Sequence, residues 1–155
     1  VKKLMMISLL GLLLAGAANA QGFKGSADVV KVSGQSVTAV AGARAEFTIQ
    51  VKIDKSWHLY AHGDTNFIGL DLVPDEGFPL KDLKLEYPQA HEGEFYGEKV
   101  MMLSGHAPVA ASALVPKDMT AGDHALAFKV TAQACDDKQC LAPAYIPVTV
   151  KLTVE

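Results

Sequence analysis

"HALAFKVTAQACDDKQCLAPAYIPVTVKL", residues 124–152, decides the fold. Both ends alternate apolar with polar residues: Leu126, Phe128 and Val130 on the way in, Ile146, Val148, Val150 and Leu152 on the way out. A period of two is that of a strand with one buried and one wet face. Two such strands joined by a short polar link form an antiparallel hairpin. Cys135 and Cys140, the only cysteines in the chain, stand at the two bases of the link Asp136-Asp137-Lys138-Gln139.

The alternation continues outward from this hairpin. "EFTIQVKI" (46–53) places Phe47, Ile49, Val51 and Ile53 on one face and Glu46, Thr48, Gln50 and Lys52 on the other. "DLKLEY" (82–87) aligns Leu83, Leu85 and Tyr87, and Val154 extends the final strand. Between the runs lie turn-forming stretches: "SGQ" (33–35), "AGA" (41–43), "DKS" (54–56), "PDEGFP" (74–79), "HEGEFYG" (91–97) and "PKDMTAGD" (116–123). No stretch after residue 20 carries a helical period with caps, and "QGFKGS" (21–26) reads as a loose leader. The expectation is an all-β, antiparallel β-sandwich, in which two sheets cover each other's apolar face.

The start of the chain predicts its destination. Lys2 and Lys3 precede the uncharged run "LMMISLLGLLLAGA", and "ANA" (18–20) follows. This is the pattern of a cleaved secretory signal over residues 1–20, with the domain at 21–155. The run is short for a bilayer span, and no cysteine at the cleavage point offers a lipid anchor. A Gram-negative periplasm is expected, which is an oxidising compartment. The 155 residues carry a formal charge of −3, and losing two lysines makes the remainder more acidic. That balance argues against nucleic acid and against anionic membranes as partners. One soluble domain is expected, as a monomer without cofactor or metal.

Spacing alone leaves the cysteines open to several roles. Facing residues of an antiparallel pair have Cα atoms about 4.5–5.5 Å apart, within the reach of a disulfide at about 4.4–6.8 Å. As a staple the bond would be weak, because stabilisation grows with the length of the closed loop. An exposed disulfide in a tight loop is of the kind that exchanges with other thiols. A metal clip would need companion ligands that no CxxC or HxxxH set supplies. His58, His62, His91, His106, Met101 and Met102 offer imidazole and thioether groups suited to copper, but they are scattered. A binding or adaptor sandwich with a permanent disulfide is a further class, because fold alone does not settle function.

"VKIDKSWHLYAH" (51–62), "HEGEFYGEKV" (91–100) and "VTAQACDDKQCLAPAYIPVTVKL" (130–152) together resemble the N-terminal periplasmic domain of the thiol:disulfide interchange protein DsbD. The resemblance covers nearly all of the chain after residue 20 and implies an immunoglobulin-like sandwich. It implies that Cys135 and Cys140 form a redox-active disulfide that shuttles electrons, a protein-disulfide reductase type of activity. Cys140 would form mixed disulfides with partners and Cys135 would resolve them. Glu94, Phe95, Tyr96 and Gly97 match the family's cap loop, with Phe95 lying over the disulfide, and Tyr60 matches an aromatic beside the site. The implied clients are periplasmic thioredoxin-fold proteins such as a disulfide isomerase or a cytochrome c maturation factor. With no membrane or thioredoxin-like domain after Glu155, the electron donor is expected in another chain, a membrane thiol transporter or a thioredoxin-like protein. The chain departs from the best-known member in three places: a cysteine loop shorter by one residue, Gly93 in place of an acidic residue, and His58 in place of a tyrosine.

Overall fold

A computed structural model describes residues 24–155. The expected signal segment lies outside the described residues. The elements run α1 (Ser26–Val29), β1 (Val30–Gly34), β2 (Val37–Ala39), β3 (Arg44–Ile53), β4 (His58–Tyr60), β5 (Asp71–Pro74), β6 (Lys81–Glu86), β7 (His91–Phe95), β8 (Glu98–Ser104), β9 (Val109–Leu114), β10 (Gly122–Ala132) and β11 (Ala144–Val154).

Period-two patterning builds the sandwich. One sheet has the order β1-β3-β9-β6 and the other β2-β11-β10-β5. All pairs within them are antiparallel except β11 with β2. Phe47, Ile49, Val51 and Ile53 of β3 are all buried, as are Leu126, Phe128 and Val130 of β10 and Val148, Val150 and Leu152 of β11. Phe47 meets Phe128 across the sheets at a ring separation of 5.9 Å. Each such fully buried side chain contributes about 1.5–3 kcal/mol relative to exposure, and this layer holds the two sheets together. The fold is an immunoglobulin-like β-sandwich: the alternation predicted the sandwich, and the family resemblance implied its immunoglobulin-like form.

Most of the turn stretches hold a reversal. Gly42, Ser56, Gly77, Gly97 and Gly122 adopt positive φ within five of them, a conformation that strands avoid and tight reversals require.

Three expectations need correction. A third sheet, β4-β8-β7, accompanies the two sheets of the sandwich. "HEGEFYG" is mostly strand: His91–Phe95 is β7, paired with β8 from His91↔Met102 to Phe95↔Glu98. Its glycine and acidic residues resemble a turn, but cross-strand pairing overrides that propensity. The end of the "loose leader" is tied down. Gly25 bridges Ala142, and Ser26 is fully buried at the head of the four-residue α1.

Candidate functional site

The long hairpin β10–β11 stays in register up to Ala132↔Ala144, and the cysteine segment projects beyond it. Leu141 N–H donates to Ala134 O at 2.8 Å and Asp136 N–H to Gln139 O at 2.9 Å. Cys135 and Cys140 face each other between these bonded positions. Such a non-hydrogen-bonded pair is where antiparallel chains approach closest. The two residues are disulfide-bonded with Cα atoms 4.0 Å apart, closer than the cross-strand spacing anticipated from the sequence. The tip is ordered by Asp136, whose Oδ1 accepts the Lys138 and Gln139 N–H groups, each at 2.8 Å. These bonds, the one from Lys138 foremost, hold its carboxyl below the usual carboxylate range.

The two sulfurs sit in unequal surroundings. Cys135 is fully buried, whereas Cys140 is half-buried. The backbone of Cys135 is fastened to β4 by a reciprocal pair, His58 N–H to Cys135 O and Cys135 N–H to His58 O, both 2.9 Å. The third sheet therefore continues through β4 into the cysteine hairpin. A second fastening lies at the neck of the loop. The Ser26 hydroxyl donates to Ala142 O at 2.7 Å and accepts the Ala134 N–H at 2.9 Å, so one side chain touches both limbs.

Over the disulfide lies a small apolar cluster, separate from the main core. Tyr60, Phe95, Val100, Met102 and Cys135 are its buried members, with Phe67 and Cys140 packed at its edge. Phe95 is 7% exposed and makes edge-on contacts with Tyr60 at 6.0 Å, His58 at 6.1 Å and Phe67 at 5.6 Å. Tyr60 stacks on Phe67 at 4.1 Å. Gly93 makes room here. A Cβ at this position would come within 2.5 Å of the Met102 sulfur, so Met102 can lie across β7 only because residue 93 has no side chain.

The β7–β8 turn holds Phe95 in place. Tyr96 and Gly97 both have positive φ, 52° and 83°, the requirement of a type I′ hairpin turn. A left-handed tyrosine costs about 1–2 kcal/mol. Its side chain is mostly exposed, yet its hydroxyl donates to the carbonyl of Lys138 at the tip of the cysteine hairpin. The β7–β8 turn and the cysteine hairpin are thereby joined.

Most of the residues singled out from the sequence converge: Cys135, Cys140, His58, Tyr60, Phe95 and Tyr96, with Gly97 shaping the turn. Glu94 does not join them. It is exposed, opposite Lys99, on the face of β7 away from Phe95. The histidines and methionines weighed as copper ligands are also dispersed. His62 stacks on Tyr87 at 3.7 Å, Met101 is exposed, and no group of three His, Cys, Asp or Glu ligands converges among the described residues. Sequence reasoning missed Phe67 and Ser26. Phe67 sits in the irregular "HGDTNFIG", where the Asp64 carboxylate accepts the Asn66 and Phe67 N–H groups at 2.8 and 2.9 Å and fixes the bend. The aspartate followed by polar residues was a readable turn signal, although it does not say where the ring points.

Two polar atoms inside the cluster have no partner, His58 Nε2 and Tyr60 Oη. An unsatisfied buried polar group costs about 1–3 kcal/mol. Burial holds the His58 imidazolium below its usual range, opposed by the charges of Asp137 and Asp136, while His91 adds to the lowering. Burial, with Asp64 adding, pushes the Tyr60 phenol up to about 12.

Fold and site together define a β-sandwich domain with a disulfide whose buried cysteine packs in an aromatic cluster. The chain belongs to the family of the N-terminal domain of the thiol:disulfide interchange protein DsbD, whose sequence profile matches residues 26–151. Among solved structures, the N-terminal periplasmic domain of ScsB from Proteus mirabilis superposes with a TM-score of 0.54 at 11% identity. That match covers 80% of this chain, which spans 45% of the ScsB chain, and it bears on the fold alone. The DsbD N-terminal domain of Neisseria meningitidis, in its reduced form, gives a TM-score of 0.45 at 17% identity, covering 81% of this chain and 85% of its own. No curated protein sequence matches the chain. No helix among the described residues is long and apolar enough to cross a membrane. A DsbD-like thiol:disulfide interchange domain is therefore the class to which this chain belongs.

Proposed function

We propose that this domain works in the periplasm and passes reducing equivalents to oxidised proteins through the Cys135/Cys140 pair. The observation that carries the reading is the unequal burial of the two cysteines: Cys135 is buried and Cys140 half-buried at the edge of the cluster. Cys140 is therefore the more open to an incoming thiolate, and exchange depends on access as well as on thiolate fraction. Cys135, buried and fastened to β4, stays in place to resolve the mixed disulfide. Phe95, Tyr60 and Phe67 shield the bond from small thiols, and the cap turn can swing aside for a docking protein. The partners would be thioredoxin-fold proteins: a donor fed from the membrane, and clients such as a disulfide isomerase or a cytochrome c maturation factor.

The test compares Cys135→Ser with Cys140→Ser against a thioredoxin-like protein. Cys135→Ser is expected to accumulate a mixed disulfide through Cys140, because the resolving thiol is gone. Equal trapping by both variants, or trapping through Cys135 alone, would reverse the assignment.

A further inference from the structure

The partnerless nitrogen of His58 is the feature that the exchange reading does not use. His58 and Cys135 are directly opposite residues of an antiparallel pair, joined by two backbone bonds of 2.9 Å, so their side chains project from the same face. Cys140 is opposite Cys135 in turn. Imidazole, inner sulfur and outer sulfur thus form one row across three adjacent backbone segments. The ring is 7% exposed and is held edge-on by Tyr60 at 5.4 Å and Phe95 at 6.1 Å. Its Nε2 is buried without a hydrogen-bond partner while the disulfide is closed.

We infer that His58 is the proton partner of the Cys135 sulfur, holding a proton beside it once the disulfide opens. This role rests on the exchange reading above. A partner thiolate attacks Cys140 Sγ; the new sulfur–sulfur bond forms as the Cys135–Cys140 bond breaks, and Cys135 Sγ leaves with the electron pair. The partner's second thiol then displaces Cys140, so that the partner ends as a disulfide and this pair has gained two electrons. The two protons released by the partner's thiols balance the two new sulfur sites, one at Cys140 and one shared between Cys135 and His58. A disulfide sulfur is a weak acceptor, and a thiolate is a strong one. The buried nitrogen therefore gains a partner only in the reduced state.

Burial disfavours the cationic ring, and the Cys135 thiolate would supply the counter-charge it lacks. Asp136 and Asp137 on the cysteine hairpin attract it and His91 on β7 opposes it. Asp54 and Lys55 line the cavity of about 470 Å³ on its open side, with Ser104 of β8. On its own strand the other titratable group is Tyr60. Gly93 and Met102, on the strands beyond, bring no charge.

The experiment follows the His58 ring by NMR across pH in the full chain, oxidised and then reduced by dithiothreitol. It is paired with the thiolate absorbance of Cys135 in Cys140→Ser, with and without His58→Phe. By linkage, each group shifts the other's proton affinity by the same factor. The His58 titration is expected to move to higher pH on reduction. In the His58→Phe background the Cys135 thiolate fraction at pH 7 should fall about tenfold, one unit of pKa. His58→Gln serves as the second variant, and the wild-type ring titration stands even if neither variant folds. A ring that titrates identically in both redox states, with a Cys135 curve unmoved by either substitution, would overturn the inference. Exchange with a thioredoxin-like protein is measured separately. If exchange proceeds while His58 is silent, only the proton role fails; if the disulfide is inert to a dithiol protein, the exchange reading fails and takes the proton role with it.

Discussion

Replacing Phe95 with alanine tests the cap and the burial of its ring together. The side chain is 7% exposed and touches three aromatic neighbours. Removing a buried phenylalanine costs about 3–5 kcal/mol. Phe95 is the last residue of β7, next to the exposed Tyr96, so about 3 kcal/mol, the low end, applies. If that loss falls on the closed position of the cap turn, the open population rises by roughly a hundredfold, since 1.4 kcal/mol is a factor of ten. Turn and loop motions are fast compared with thiol exchange, so the rate of reduction by glutathione should rise in proportion, up to about a hundredfold. Reduction by a thioredoxin-like protein should change much less, because docking already displaces the ring. The assay is the pseudo-first-order loss of disulfide with each reductant, wild type against Phe95→Ala. The resemblance placed Phe95 on a cap loop, whereas the ring is buried at the end of a strand. With the ring buried, the thermal midpoint should fall by roughly 6–12 °C. A folded variant whose glutathione rate stays within about threefold of wild type, a shift of well under 1 kcal/mol, would refute the cap.

Three further outcomes are expected. Reducing the disulfide, whose cysteines are five positions apart, should remove about 2 kcal/mol on the chain-entropy relation and lower the midpoint by roughly 4–8 °C; a fall several times larger in a calorimetric scan would mark a structural staple. Ser26→Ala should cost about 1–3 kcal/mol in urea unfolding, because it strands the buried Ala134 N–H; a change within experimental error would dismiss the clasp at the neck. The pH dependence follows from burial of His58. Its folded pKa lies below the ordinary 6.5, so the unfolded chain takes up the proton first, and stability present above about pH 6.5 is lost as pH falls toward the folded value. Asp123 and Asp136, lowered from 3.8, lose their part only in stronger acid. His58→Phe should flatten the midpoint-against-pH curve in the mildly acidic window, and an unchanged slope there would assign the effect elsewhere.

The sandwich was readable because its strands are amphipathic: every second residue is buried along β3, from Leu126 onward in β10 and from Val148 onward in β11. The cysteine pair was readable because a hairpin brings its bases together. The cap was harder. β7 has the burial pattern of a mostly exposed strand, with only Phe95 fully buried, so its composition imitates a turn. Glu94 belongs to the stretch that matches the family's cap loop, yet strand alternation sends it and Phe95 to opposite faces. Ser26 could not be found by period, because it acts through one hydroxyl on residues more than a hundred positions away. Phe67 lies in a bend with no period at all.

The neck clasp has a consequence for the lifetime of covalent complexes. Because Ser26 ties Ala134 to Ala142 and β4 holds Cys135 by two backbone bonds, opening the sulfur–sulfur bond does not let the two limbs drift apart. The freed Cys135 remains beside Cys140 at a high effective concentration, set by a structure that is already ordered. On the exchange proposed above, a partner joined to Cys140 would face a waiting intramolecular competitor from the moment it binds, and each covalent encounter would be kept brief.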